Sequence, residues 1–168
     1  TIPFRLGCLK SMKLLIKNTT IVTVNDQDQV LENVDLAVSG KNIVGVGKAP
    51  LDFIPDRVID GKGKLVMPGL INAHTHLSMT LMRNYADDLP FSDWLFKKIK
   101  PLEDHLLAED VRFGAKLGIA EMIRGGTTCF HDMYFFMDEV ASEVESLGIR
   151  ACLTSALFDV SGNGEALL

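Results

Sequence analysis

The amino-terminal third of the chain alternates short apolar runs with polar turns. Lys13–Val24 (KLLIKNTTIVTV) is rich in Ile, Val and Thr, residue types that favour strands. Val34–Val38 and Ile43–Val46 flank the polar turn Ser39–Asn42, a pattern that predicts a β-hairpin. A further short strand is predicted at Arg57–Ile59. These elements predict a small antiparallel β module.

The pattern changes after Gly63. Leu65–Ala73 is almost unbroken apolar, which is typical of a strand buried on both faces of a parallel sheet. Ser92–Lys100 predicts a short helix, and Pro101 is expected to stop it because proline lacks the backbone N–H that a helix needs.

The remaining elements alternate in type. Apolar residues recur at helical spacing over Leu107–Ile123, and Thr127–Phe130 follows as a short strand. A helix is predicted over Asp138–Leu147, with Asp138 as its cap, and a strand over Ala151–Leu157. Strand, helix, strand, helix, strand at this spacing predicts parallel strands with covering helices.

Composition narrows the class of protein. The chain has 168 residues, a net charge of −5 and 47% hydrophobic residues, which indicates a globular rather than a disordered protein, and the order of its elements makes it α/β. Its basic residues form no stripe, so neither a nucleic acid nor a membrane surface is expected as a partner. The three cysteines show no C-x-x-C spacing, which favours the cytoplasm. Thr1–Ser11 is interpreted as a leader, an expression-vector remnant or upstream read-through.

Two histidines follow the apolar run one residue apart. On a strand, His74 and His76 would project from the same face with Cβ atoms roughly 6.5 Å apart. Imidazoles placed so can converge on one metal ion, and the carboxyl end of a parallel strand is where ligands collect. The alternative is a pair of strand histidines that make ordinary hydrogen bonds. A catalytic zinc typically takes three protein ligands, so a third is needed.

His105 and His131 are the other two histidines. His105 lies in Glu103-Asp104-His105, which predicts a helix start facing solvent. His131 ends the second predicted buried strand, at the same sheet edge as His74 and His76. It is a candidate third ligand, with a supporting or purely structural role as the alternative.

Several motifs in order carry a family resemblance. Val66–Leu77 (VMPGLINAHTHL) resembles the start of the barrel in the amidohydrolase superfamily. The run MTLMRNYADDLPFSDWLFKKIKPLEDHL and the later GGTTCFHDMYF resemble the branch that holds S-adenosylhomocysteine and methylthioadenosine deaminases, with triazine chlorohydrolases as close relatives. The similarity extends from Met12 to about Asp159.

The resemblance implies a fold and a metal. Residues 12–63 would form part of a β-sandwich, and residues 64–168 the first three βα units of a (β/α)₈ TIM-type barrel, which is incomplete in this chain. His74 and His76 would be metal ligands from the first barrel strand, with zinc as the first choice of metal and iron as the alternative. The remaining ligands and the proton-transfer residues are expected beyond Leu168, so no catalytic residue is assigned within the chain.

The resemblance also implies a reaction. Metal-activated water would attack the amine-bearing carbon of a purine ring, and ammonia would leave. Glu103 matches a glutamate that holds ribose hydroxyls, and Trp94 matches a pocket-wall tryptophan. Without the resemblance, Glu103 would be a solvated residue in the first turn of a helix and Trp94 a core aromatic. Asp87 and Asp88 are predicted to be loop or capping carboxylates.

The resemblance implies a small purine nucleoside as the substrate: methylthioadenosine, S-adenosylhomocysteine, 5'-deoxyadenosine or adenosine. Homocysteine-accepting relatives often carry an arginine near the end of the third strand, whereas this chain has Thr154-Ser155-Ala156 there. That difference favours a neutral nucleoside.

Two alternatives stay open. One is a hydrolase that displaces chloride or amine from another nitrogen heterocycle. The other belongs to a different class: a truncated, non-catalytic fragment or assembly partner. The sequence does not fix the oligomeric state, and a homo-oligomer is compatible with it.

Overall fold

The structure, a computed structural model, describes residues 12–155. The chain divides between Pro68 and Gly69 into two compact units. The predicted leader Thr1–Ser11 lies outside the described residues, as does the end of the last predicted strand, beyond Ser155. The assignment of residues 12–63 and 64–168 to a sandwich part and to barrel units stays a prediction.

The first unit contains one mixed sheet. Its strands are β1 (Lys13–Val22), β2 (Val30–Ser39), β3 (Asn42–Gly47), β4 (Arg57–Asp60) and β5 (Leu65–Val66). Their order is β3-β2-β1-β4, and β5 also pairs with β1. The β2–β3 hairpin is confirmed.

The prediction of a purely antiparallel module is wrong for β4 and β5, which run parallel to β1. The reason is a crossover: residues 48–56 return the chain to the other edge of β1, so that β4 enters in the same direction as β1. Within residues 12–155 this unit has a single sheet. The second sheet of a β-sandwich therefore stays a prediction.

The second unit is built on three parallel strands, β6 (Leu70–Thr75), β7 (Thr127–Tyr134) and β8 (Arg150–Ser155), in the order β6-β7-β8. Its helices are α1 (Phe91–Trp94), α2 (Lys100–Glu103), α3 (Ala108–Arg124) and α4 (Met137–Leu147), with a 3₁₀ helix at Leu77–Met82 and a π-helical turn at Leu95–Ile99. The predicted alternation of parallel strands and helices is confirmed.

The core of this unit lies between the sheet and helices α3 and α4. On β7, Phe130, Asp132 and Tyr134 are buried, as the two-residue period of a strand requires. The buried apolar cluster consists of Leu77, Val111, Ala115, Ile119, Phe130, Tyr134, Val140 and Ile149. In the described part of the chain, no helix combines the length and the apolar character that crossing a bilayer requires.

The prediction of one buried strand over Leu65–Ala73 is wrong. The run forms two strands in different sheets, because Pro68 lacks a backbone N–H and Gly69 packs too closely against Thr128 for a side chain to fit. Ile71 is 72% exposed, because β6 is an edge strand that pairs only with β7 among the described strands.

Two helix boundaries also differ from the prediction. Pro101 does not stop the helix, since α1, the π-helical turn and α2 are continuous from Phe91 to Glu103. The π-helical turn changes the hydrogen-bond spacing just before the proline, which itself lies in the first turn of α2. Asp138 is not a cap, because α4 begins at Met137, but its charge suits the first turn.

Candidate functional site

The two closely spaced histidines lie at the carboxyl end of β6. His74 belongs to the strand, whereas His76 precedes the 3₁₀ helix Leu77–Met82. Their ring centroids are 5.2 Å apart, and the ring planes are nearly perpendicular at 81°. Two imidazoles at this distance can present nitrogens to a common ion.

A hydrogen bond fixes the tautomer of His76. Its Nδ1 lies 2.8 Å from the backbone oxygen of Met133 on β7. A carbonyl oxygen can only accept, so Nδ1 carries the proton and donates it. The other ring nitrogen, Nε2, makes no hydrogen bond within the described residues and is the nitrogen that a metal ion would engage.

A buried carboxylate holds the chain immediately after His76. Asp132 Oδ1 accepts the backbone N–H of Leu77 at 2.8 Å, and Asp132 is fully buried. Burial raises the pKa of Asp132, while the hydrogen bond from Leu77 and the nearby His76 oppose that shift. Its Oδ2 is buried without a hydrogen-bond partner among the described residues. Asp132 thus ties the turn that contains His76 to the neighbouring strand.

The 3₁₀ helix is seated on α3 through two side-chain hydrogen bonds and a glycine. Ser78 Oγ donates to the Val111 oxygen at 2.8 Å, and Thr80 Oγ1 donates to the Gly114 oxygen at 2.9 Å. A Cβ on Gly114 would lie 2.6 Å from the Ser78 oxygen, so only glycine permits this approach. The position of the histidines thus depends on α3 as well as on β6.

One cavity brings three of the predicted site residues together. It has a volume of about 200 Å³, and His76, Trp94 and Glu103 all line it. The rest of the wall is mostly apolar: Met79, Phe91, Leu95, Ile99, Met133, Tyr134 and Phe135. His74 is not among the lining residues, although its ring is adjacent to that of His76.

Glu103 ends α2 and is partly buried. Glu103 also lies in the first turn of this four-residue helix, as expected without the resemblance, but it is not fully solvated. Glu103 Oε1 accepts a hydrogen bond from the Tyr134 hydroxyl at 2.9 Å. Burial, and then the charge of Glu103, raises the pKa of Tyr134 well above its usual range.

A second and larger cavity of about 410 Å³ adjoins the same glutamate. It shares Glu103, Tyr134 and Phe135 with the first cavity and adds Lys100, Asp104, Leu106, Phe136 and Ser155. Neither histidine of the pair lines it. The smaller cavity is therefore the candidate reaction site, and the larger one is space beside it.

The other predicted candidates lie apart from this arrangement. His131 is partly buried on β7, and His105 is exposed just after α2. Asp87 and Asp88 are exposed loop residues. Within residues 12–155 no three His, Cys, Asp or Glu side chains are grouped closely enough to hold a metal ion. The residues present fit part of a metal site, namely the two adjacent imidazoles of His74 and His76.

Sequence reasoning missed Asp132 and Tyr134 as parts of the site. Both lie on the same buried face of β7 as Phe130, at the two-residue spacing of a strand, and that spacing could have indicated that they are buried. Their partners, Leu77 and Glu103, are 55 and 31 residues away in sequence, which no local pattern reveals.

Known proteins resemble the chain in both sequence and structure. A 5-methylthioadenosine/S-adenosylhomocysteine deaminase of Thermoanaerobacter pseudethanolicus is 51% identical over 150 residues, which are 89% of this chain and 35% of that protein. An adenosine deaminase structure from Xanthomonas campestris with bound zinc is 43% identical, with a TM-score of 0.78 over 83% of this chain and 33% of the other.

A more distant structure is an atrazine chlorohydrolase from Arthrobacter aurescens complexed with zinc. It is 28% identical, with a TM-score of 0.78 over 84% of this chain and 35% of the other. The chain thus spans about a third of the length of each of these relatives. The model of the amidohydrolase family matches residues 65–167, which is more than half of the chain. The chain belongs to the amidohydrolase family.

Proposed function

We propose that this chain is the amino-terminal portion of a metal-dependent hydrolytic deaminase that acts on adenosine-type nucleosides. The observation that carries the proposal is the cavity of about 200 Å³ in which His76, Trp94 and Glu103 meet. A candidate metal ligand, an aromatic wall and a carboxylate are three groups that a purine nucleoside deaminase needs, and here they share one space.

His74 and His76 are proposed to hold the metal ion. The tautomer of His76 and the 5.2 Å separation of the rings support this role. Zinc is the first choice because the related adenosine deaminase structure contains it, and iron is the alternative. When bound, such an ion would make water a nucleophile at neutral pH. The other ligands and the proton-transfer groups are expected beyond Leu168.

Trp94 and Glu103 are proposed to bind the nucleoside. Trp94 is partly buried in the cavity wall, its ring lies 6.0 Å from that of Phe91 at a tilt of 35°, and it offers a flat surface for a purine. Glu103 is acceptor-only when ionised, so it suits the two hydroxyl donors of a ribose. Deamination would then replace the exocyclic amine with oxygen from water and release ammonia.

The nucleoside is proposed to be uncharged: methylthioadenosine, 5'-deoxyadenosine or adenosine, in preference to S-adenosylhomocysteine. The end of β8 carries Thr154 and Ser155, and Thr154 donates its hydroxyl to the Asp132 backbone oxygen at 3.1 Å. Neither side chain offers the cation that a homocysteine carboxylate would need.

The proposal extends to the fold. The three parallel strands and their covering helices would be the first part of a (β/α)₈ barrel, and the five-stranded sheet would be part of a β-sandwich. The cytoplasm is the proposed compartment, because Cys129 and Cys152 are free thiols.

A chlorohydrolase that acts on another nitrogen heterocycle is the second candidate, and the resemblance to the atrazine chlorohydrolase favours it. A triazine has no ribose, so it offers Glu103 no sugar hydroxyl to bind. We therefore expect nucleosides to be the better substrates.

The test uses the complete protein, meaning the product of the whole reading frame that contains this chain. Ammonia release from methylthioadenosine, 5'-deoxyadenosine, adenosine and S-adenosylhomocysteine would be compared with chloride release from atrazine. Ammonia release that is lost in His74→Ala supports the proposal, whereas chloride release alone supports the second candidate. A reading frame that stops at Leu168 and yields no turnover would point to a non-catalytic fragment.

A further inference from the structure

The structure assigns Tyr134 the role of a positioning residue that holds the carboxylate of Glu103 in one orientation for the sugar of the substrate. The contact is a single hydrogen bond, 2.9 Å from the Tyr134 hydroxyl to Glu103 Oε1. This inference rests on the proposed function, because it names the partner of Glu103 rather than a separate site.

The phenol is itself immobile. Tyr134 is 3% exposed and belongs to the buried cluster between β7 and the helices. Its ring contacts that of Phe135, with centroids 5.1 Å apart, and lies 6.4 Å from the ring of His76. Because the ring is packed on several sides, its hydroxyl oxygen has a fixed position from which to donate a hydrogen bond.

Glu103, by contrast, has little else to hold it. It is only partly buried at the end of α2, and among the described residues its Oε2 makes no hydrogen bond. A free glutamate side chain samples several rotamers, and fixing them during binding costs affinity. The hydrogen bond from Tyr134 to Oε1 restricts the Glu103 side chain to one orientation before the substrate binds. Oε2 is then already in place to accept a hydrogen bond from the sugar.

A carboxylate oxygen only accepts, so the Tyr134 hydroxyl is the donor in its hydrogen bond to Glu103. An alternative role is packing alone, in which the ring fills the core and the hydroxyl is incidental.

Tyr134→Phe separates these roles because it keeps the ring and removes the hydroxyl. In the complete protein, KM for adenosine should rise about three- to tenfold, with kcat little changed, because one side chain must now be ordered on binding. KM for 2',3'-dideoxyadenosine, which lacks both hydroxyls that Glu103 would bind, should stay as in the wild type. Tyr85→Phe, which removes the hydroxyl of an exposed tyrosine, is the matched control and should change neither KM.

A double-mutant cycle completes the test. In a Glu103→Ala background, Tyr134→Phe should no longer change KM for adenosine, since its effect acts through Glu103. An equal rise in KM for both nucleosides, or no rise for either, would overturn the inference while the deaminase function stands. If the wild-type protein turns over neither nucleoside, the proposed function fails and the inference fails with it.

Discussion

At the scale of single residues, a backbone carbonyl on β7 orients the ring of His76, the residue that follows β6. The Met133 oxygen accepts the Nδ1 proton of His76 and leaves Nε2 free. The ring is thus oriented by Nδ1 in the way that a metal ligand bound through Nε2 requires.

This geometry predicts the metal content of variants of the complete protein. His76→Ala should lower zinc affinity more than about tenfold, because it removes a direct ligand. Zinc per chain, measured by elemental analysis after dialysis against a weak chelator, reports the loss. His105→Ala is the control, because His105 is exposed after α2 and should leave the zinc content unchanged. Equal zinc retention in His76→Ala would contradict the ligand assignment.

Single residues also show what sequence could and could not foresee. The pair His74 and His76 was recognisable because a spacing of two residues at a strand end is a local signal. The residues that hold the site in place, Asp132 and Tyr134, were not recognisable from the sequence. Their hydrogen bonds to Leu77 and Glu103 join segments that are far apart in sequence and meet only in the folded chain. Those contacts depend on tertiary structure rather than on local pattern.

At the scale of elements, the seat of the 3₁₀ helix on α3 determines how rigidly the histidines are held. Gly114→Ala should destabilise the complete protein by roughly 1–3 kcal/mol, because the new methyl group would overlap the Ser78 backbone. Helix propensity acts in the opposite direction, favouring alanine by about 1 kcal/mol, and is the smaller effect. The urea midpoint measures the difference.

Gly125→Ala, at the residue that caps the carboxyl end of α3, provides the matched control. A Cβ at Gly125 would be 3.4 Å from its nearest neighbour, the Glu121 oxygen, which is ordinary contact. Its urea midpoint should therefore stay close to that of the wild type. Equal effects of the two substitutions would show that the close approach of the 3₁₀ helix to α3 does not limit stability.

Helices α3 and α4 are joined by a buried carboxylate. Glu143, 2% exposed, accepts from Arg112 Nε at 2.7 Å, and Lys116 lies 3.4 Å away. The hydrogen bond from Arg112 is the main cause that lowers the pKa of Glu143 below its ordinary value of 4.5. The folded state therefore favours the ionised form more than the unfolded state does.

This shift predicts how stability depends on pH. A lowered pKa gives a contribution that is fully present above the ordinary value of 4.5 and is lost as the pH falls through the folded-state pKa. The urea midpoint of the complete protein should fall as the pH drops below about 4.5, and less steeply in Glu143→Gln. Glu145→Gln, at an exposed position on the same helix, should retain the wild-type slope. Parallel curves for Glu143→Gln and wild type would contradict the prediction.

Element boundaries show a second limit of sequence reasoning. The helix over Ala108–Arg124 was predictable because its apolar spacing is regular over 17 residues. The division of Leu65–Ala73 between two sheets was not, since both halves are apolar and only pairing separates them. The prediction that Pro101 ends the helix failed for a different reason. A π-helical turn accommodates the proline, and the composition of the segment does not indicate such a turn.

At the scale of the whole molecule, the parallel sheet β6-β7-β8 has both of its edges unpaired among the described strands. Among the strands described, β6 and β8 each have one neighbour. Leu70 and Ile71 on β6 are more than half exposed. An open edge and exposed apolar residues favour pairing with further strands, which is consistent with a chain that spans about a third of its relatives.

The grouping of only two candidate metal ligands among the described residues predicts the behaviour of the isolated 168-residue chain. It should show no deaminase turnover, because the described residues group two histidines and no third metal ligand. Ammonia release from adenosine with added zinc, compared with a His74→Ala chain, is the measurement, and the two should be indistinguishable. Turnover above that variant would mean that two histidines suffice, or that a partner copy completes the site. Sedimentation of the active species would then separate those explanations, since only a shared site requires a dimer.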